Sequence, residues 1–265
     1  MPNRATDKAL LESRSFGIRR VPLLRPLGWL ALGARDLLRC PWPGLLHGVV
    51  VALFGAALLA VARQRFWLLS GAFTGFLLVA PIVATGLYAV SRAIERGRPA
   101  GIIDALAIWK PRDGRLIVFG LLLAFAGTGW VMTSAALITG FAPAPVRNPI
   151  DFLRVVVLNE HSHLFEAWLM MGAILAAPVF ASSVVAIPLL LDRPVGVLAA
   201  VLTSWRVVQQ HPLPMALWAG LLMGLTVLGM ATALLGLVVI APWLAHASWH
   251  AYRDLVDTSA LPDAG

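Results

Sequence analysis

Apolar positions fall into long unbroken runs, separated by stretches where apolar and polar residues alternate at helical spacing. Runs near 20 residues match the length an α-helix needs to cross about 30 Å of hydrocarbon. They predict spans over residues 44–62, 66–90, 116–141 and 164–191. The last block, 212–252, is too long for one span. Its Gly224, Gly229 and Gly236 predict a tight hairpin, with a fifth span ending near Leu234 and a sixth starting near Gly236. Two shorter segments are amphipathic. Arg25–Arg39 puts Leu27, Leu30, Ala34, Leu37 and Leu38 on one face, with Arg35, Asp36 and Arg39 turned away, and Pro41 and Pro43 end it. Residues 195–210 put Val197, Leu198, Val201, Leu202, Trp205 and Val208 on one face. Both are too short and polar to span and are predicted to lie in the interface. Arg63-Gln64-Arg65 predicts a tight turn, and a loop with Pro143, Pro145 and Pro149 leads to a short polar helix near 151–163.

Two marks recur along this pattern. Arg-Pro-x-Gly occurs at Arg25–Gly28, Arg98–Gly101 and Arg193–Gly196, each time before a predicted interfacial helix and then a proline (Pro41, Pro111, Pro212). Ala80-Pro81-Ile82-Val83-Ala84-Thr85, Ala177-Pro178-Val179-Phe180-Ala181-Ser182 and Ala241-Pro242-Trp243-Leu244-Ala245-His246 align without gaps in the even-numbered spans. The consistent order predicts three pseudo-repeats, about 18–91, 92–190 and 191–257, within one membrane domain over 18–257. A polar tail (1–17), expected to be loosely held, precedes it, and a C-terminal tail (258–265) follows. The expected fold is therefore all-α: a polytopic membrane protein of about six transmembrane helices, arranged as three hairpins, each preceded by an interfacial helix. A proline inside a spanning helix frees a carbonyl that lipid cannot satisfy. The residue four past each proline is Thr85, Ser182 or His246, which makes these three the candidate interior polar groups.

Composition sharpens the class. The hydrophobic fraction is 59% and the charged fraction 13%, far from the balance of a soluble domain. Ten Trp against two Tyr fit interfacial anchoring. The net charge of +8 does not point to nucleic acid, because Arg supplies 19 of the 21 basic residues and these flank the spans. With the N-terminus inside, the inner segments hold 17 basic residues and the outer loops 4, so both termini are expected to be cytoplasmic. The same collar suits anionic lipid. No cleavable signal peptide is visible, since the first long apolar run starts near Pro43. The lone Cys40 excludes an internal disulfide and is read as a thiol near the interface.

The closing string Pro242, His246, Trp249, His250, Ala251, Tyr252, Arg253, Asp254, Leu255 resembles the end of a bacterial inner-membrane family catalogued as domain of unknown function 2189. Further matching stretches are Gly75-Phe76 through Gly86-Leu87-Tyr88 with Ser91-Arg92, and Leu191-Asp192-Arg193-Pro194. The resemblance covers about residues 20–256 and implies a multi-pass protein of the bacterial inner membrane, with no activity attached. Ala89 departs from the family, whose members commonly carry an acidic residue after Gly-Leu-Tyr, so that position receives no acid-base role.

Candidate chemistry is sparse. His246 and His250, spaced i, i+4, share a helix face that can bind metal or haem, with His47 as a further ligand. Buried histidines closing a proline-freed carbonyl are the more ordinary explanation. Glu160-His161-Ser162-His163 with Glu166 is dense in ligand types but reads as a solvated outer turn. Tyr252-Arg253-Asp254, like Asp192-Arg193, reads as an anchor for the inner end of a span. No acid or base lies deep in a span, which argues against proton-coupled transport. No nucleotide loop, nucleophile elbow or zinc-protease motif occurs. The expected function is thus non-enzymatic: binding or passing an apolar or lipidic ligand, or supporting a membrane assembly. Thr85, Ser182, His246 and His250 are the candidate ligand-binding residues. No cofactor or metal site is expected on this reading. The alternative is a haem- or metal-binding redox protein using His246 and His250. Expected partners are the bilayer, its anionic lipids, and another membrane protein or a second copy; the small-residue face at Gly220 and Gly224 permits close helix packing within one chain or between chains.

Overall fold

A computed structural model describes residues 4–61, 84–107 and 114–259, and these are almost wholly helical. In chain order the elements are α1 (Arg4–Arg14), β1 (Gly17–Ile18), α2 (Arg25–Arg39), α3 (Pro41–Val61), α4 (Thr85–Glu95), α5 (Ile102–Ala107) and α6 (Gly114–Phe141). Then come α7 (Pro149–Phe152), which runs into a π-helical turn (Leu153–Val157), α8 (Leu164–Ser183), α9 (Ala186–Asp192), α10 (Val197–Gln210), α11 (Pro212–Ala231), α12 (Leu237–Leu255) and β2 (Val256–Asp257).

Among the described residues four helical stretches are long and apolar enough to cross a membrane: Pro41–Ala60, Gly114–Phe141, Leu164–Asp192 and Pro212–Ala231. They coincide with the first, third, fourth and fifth predicted spans. Only 17% to 39% of the residues in their most apolar windows are buried by protein. At about 25 cal/mol per Å² of apolar surface, that exposure is untenable in water and natural in hydrocarbon. The predicted sixth span is α12, one continuous helix whose second half carries His246, His250, Arg253 and Asp254. The predicted second span, with Pro81 and the Arg63–Arg65 turn, lies outside the described residues except for its end, and so does Pro111.

The described residues form two compact units. In one, comprising 53–61 and 120–179, Ile138, Val146, Val156 and Leu164 make a small buried cluster with Phe152, Phe165 and Trp168 packed against it. The Trp168 indole N–H donates to Ser134 Oγ at 2.7 Å, and its ring meets those of Trp130 and Phe152 at 5.5 and 5.3 Å. Glu160 to Glu166 lies here. His163 and Glu166 are exposed and approach to 3.7 Å.

The other unit holds 4–52, 84–107, 114–119 and 180–259, and α2 lies along α12 as its main contact. Glycines make that contact possible. A Cβ on Gly33 would stand 2.6 Å from the Ala247 nitrogen and 2.8 Å from its Cα, and where α3 meets α12 one on Gly48 would overlap the Val238 carbonyl. Edge-on packing of Trp29 on Trp218 at 5.5 Å adds α11 to the same core. The α11–α12 hairpin turns where the glycine pattern predicts, with Ala233 and Leu234 rather than a glycine in the left-handed region, at φ 53° and 70°. A Cβ on Gly220 or Gly224 would meet no atom within 4 Å among the described residues.

Proline chemistry differs from expectation in one respect. Pro178 and Pro242 stay inside continuous helices. The interruption falls instead at Val184–Val185, between α8 and α9. Pro188 explains it: its ring clashes with the carbonyl four residues earlier, at Val184, and it offers no N–H to that carbonyl. The Val185 N–H, displaced from the ladder, donates to Ser204 Oγ at 3.1 Å.

Two expectations about polar segments are corrected. The N-terminal stretch is a helix docked on α10 rather than a loose tail: Ala9, Ser13 and Phe16 are buried, Thr203 Oγ1 donates to Ser13 Oγ at 3.0 Å, and Arg206 donates to the Ser13 carbonyl at 2.5 Å. Residues 17–18 then pair antiparallel with 256–257. In α2 the buried stripe is Pro26, Trp29, Leu30, Gly33, Asp36 and Leu37, so Asp36 faces inward, while Leu27 and Leu38 are exposed. In α10 it is the small and polar Ala199, Ala200, Thr203 and Ser204 that are buried, together with Val207.

Candidate functional site

The three stretches that carry the family resemblance, far apart in sequence, meet at one end of this unit. From α4, Ser91 Oγ donates to Asp36 Oδ2 at 2.7 Å and lies 2.7 Å from His246 Nδ1. One turn along α12, His250 Nε2 lies 2.8 Å from the same Asp36 oxygen. With Asp36 ionised, the single Ser91 proton is committed to the carboxylate, so His246 donates from Nδ1 and its Nε2 is the bare nitrogen. Among the described residues that Nε2 is buried without a hydrogen-bond partner, and it faces α3 near Gly44. Burial by itself raises the Asp36 carboxyl. The hydrogen bonds from His250 and Ser91, with the field of both imidazoles, outweigh it and hold the group below the ordinary carboxylate value. Here serine stands between aspartate and histidine and is fully buried. A hydrolase triad instead puts histidine between the two, so the order here is not that of a triad.

A second cluster adjoins the end of α12. Asp192, which closes the apolar stretch 164–192, accepts from the Tyr252 hydroxyl at 2.7 Å. Arg193 Nε approaches it at 3.2 Å, Arg96 at 3.7 Å and Arg253 at 3.8 Å. Glu95 holds Arg253 at 2.9 and 3.2 Å and accepts from the Trp249 indole at 3.0 Å. Arg92 reaches the Leu191 carbonyl at 3.2 Å. These groups line a pocket of about 300 Å³. On the far side of α12, Asp254 takes both Arg25, as an ion pair, and the Trp29 indole at 2.8 Å, and Asp257 takes Arg19 at 3.0 Å. Replacing Tyr252 with Phe is expected to destabilise the protein by about 1–3 kcal/mol, because the buried Asp192 loses a donor it cannot replace from solvent. A denaturant titration in detergent that showed no shift would contradict this placement.

The sequence candidates divide accordingly. His246 and His250 are joined through Ser91 and Asp36, so each already has a partner within the protein. Ser182 accepts from the Trp205 indole at 2.9 Å. Thr85 is buried at the start of α4. Tyr252, Arg253, Asp192 and Arg193 stand at helix ends and join there in one cluster, with Arg253 paired to Glu95 and Asp192. Among the described residues no group of three or more His, Cys, Asp or Glu is placed to hold a metal ion. Asp36 and Glu95 were missed as site residues. A small-to-polar stripe at Trp29, Gly33 and Asp36, spaced i, i+4, i+7, was the available signal for the first. For Glu95 it was the helical spacing from Ser91-Arg92.

Apolar, sparsely buried helices ending in a buried polar cluster define an integral membrane protein. The family resemblance is borne out: residues 68–192 match the model of the predicted integral membrane proteins termed DUF2189. The closing Trp249–Leu255 motif lies beyond the matched residues. No match was found among curated proteins or among solved structures.

Proposed function

We propose that this protein is a non-enzymatic, multi-pass component of the bacterial inner membrane that holds an apolar or lipidic ligand. Six spans in three hairpins, with α2 and α10 lying in the interface and both termini cytoplasmic, complete the reading. The observation that carries it is the meeting of sparsely buried apolar helices with a cationic pocket at Asp192, where the apolar stretch ends. Hydrocarbon and polar chemistry adjoin there, as an amphiphile requires. Pairing of residues 17–18 with 256–257 supports an even number of crossings between them. Exposed Leu23, Leu24, Leu27 and Leu38 around α2 support contact with the bilayer interface. The Arg-Pro-x-Gly tetrads open or precede α2, α5 and α10, in keeping with the repeat.

Native mass spectrometry of the gently solubilised protein tests the reading. Retained lipid or quinone at defined stoichiometry is the expected result. A bare monomer, or a stoichiometric haem or metal lost on His250→Ala, would overturn it.

A further inference from the structure

We propose that the pocket between the ends of α4, α9 and α12 is a binding site for a phosphate group, carried on a lipid headgroup or free. Four guanidinium groups (Arg92, Arg96, Arg193, Arg253) line it against two carboxylates (Glu95, Asp192), an excess of two positive charges in a partly enclosed space. A phosphate would balance that net charge. The two carboxylates are nevertheless placed to orient the arginines. Glu95 fixes Arg253 through two contacts, and Asp192 lies within 4 Å of Arg96, Arg193 and Arg253. The Tyr252 hydroxyl and the Trp249 indole hold those carboxylates in turn. Guanidinium forks pre-set in this way match the oxygen geometry of phosphate and lose little side-chain freedom on binding it.

Size and depth agree. About 300 Å³ is roughly the space of ten waters, enough for a phosphate and the first atoms of its ester. The pocket opens where the apolar stretch ends at Asp192, which is the level of headgroup phosphates in a bilayer. Only the identity of the carrier rests on the lipid reading above; recognition of phosphate rests on the arginines.

The test uses the full-length protein in neutral detergent. Melting is followed in inorganic phosphate against chloride at matched ionic strength, and bound lipid is read by native mass spectrometry after exposure to phosphatidic acid or diacylglycerol. Wild type should be stabilised by phosphate. Arg96→Gln, which removes one pocket guanidinium, should weaken the apparent affinity about tenfold. Arg96→Lys should weaken it less, and Arg35→Gln, an exposed charge on α2, should leave it unchanged. Retention of phosphatidic acid over diacylglycerol, lost in Arg96→Gln, would name a lipid carrier. Phosphate stabilisation with no retained lipid would name a free phosphate and sink the lipid reading alone. Equal retention of both lipids with no Arg96 dependence would sink the pocket and leave the lipid reading standing. A wild type indifferent to phosphate in every arm would overturn the proposal whether or not the variants fold.

Discussion

Asp36→Ala is expected to be among the most damaging single substitutions, costing about 3 kcal/mol or more. The carboxylate is buried and is the shared acceptor of Ser91 and His250, and through Ser91 it fixes His246. Deleting it strands the buried Ser91 and His246 and the partly buried His250 at once, the condition under which broken networks become costly. The pH dependence has a definite sign. Because the folded-state pKa of Asp36 is depressed below its ordinary 3.8, the unfolded chain takes up the proton more readily. The stabilisation is therefore fully present above that ordinary value and is lost as pH falls through the lower, folded-state value. Unfolding in detergent should show wild type losing stability in that acid window and Asp36→Asn doing so less steeply. Parallel profiles for the two would refute the assignment.

Gly33→Val is expected to match or exceed that loss. An added Cβ alone would stand 2.6 Å from the Ala247 nitrogen, and that neighbour is backbone of α12, which cannot rotate away. Overpacking of this kind costs about 1–3 kcal/mol where side chains yield, and more where they cannot. The predicted signature is coupled: separation of α2 from α12 also undoes the Asp36–His250 contact, so Gly33→Val and Asp36→Ala should be strongly non-additive in a double-mutant cycle. Full additivity would mean that the two sites report on different contacts. Gly48→Ala, whose Cβ would overlap the Val238 carbonyl, probes the separate contact of α3 with α12.

Length and apolarity alone made the membrane class and four spans readable, because hydrocarbon thickness imposes one helix length whatever the tertiary partners. The Arg25–Arg39 boundaries were likewise legible from Pro41 and the helical spacing. The orientation of Asp36 was not. A charged residue beside Arg35 and Arg39 reads as solvated, and only its partners on α4 and α12, 55 and 214 residues away, make its burial tolerable. In α10 the rule that bulky residues mark the packed face misleads for a related reason. Close helix contact favours small and hydroxylated residues, and Leu198 is left exposed. The break at Val184 was legible in principle from Pro188, but the Ala-Pro hexads drew attention to Pro178. The cationic pocket was half visible: Arg193 and Arg253 read as anchors of separate spans, while their convergence with Arg92 and Arg96 depends on tertiary contacts that no local spacing encodes.

The pairing of α2 with α12 has a consequence for biogenesis. During synthesis, α2 leaves the ribosome more than 200 residues before the helix that covers Gly33 and Asp36. At about 5–20 residues per second, that delay is on the order of ten to forty seconds. Through that interval Gly33 lacks the α12 backbone that covers it and Asp36 has Ser91 of α4 but not His250, and every intervening apolar segment must be inserted before α12 arrives. The polar end of the protein is thus assembled last, and a chain stalled before residue 250 would hold α2 open as a handle for quality control.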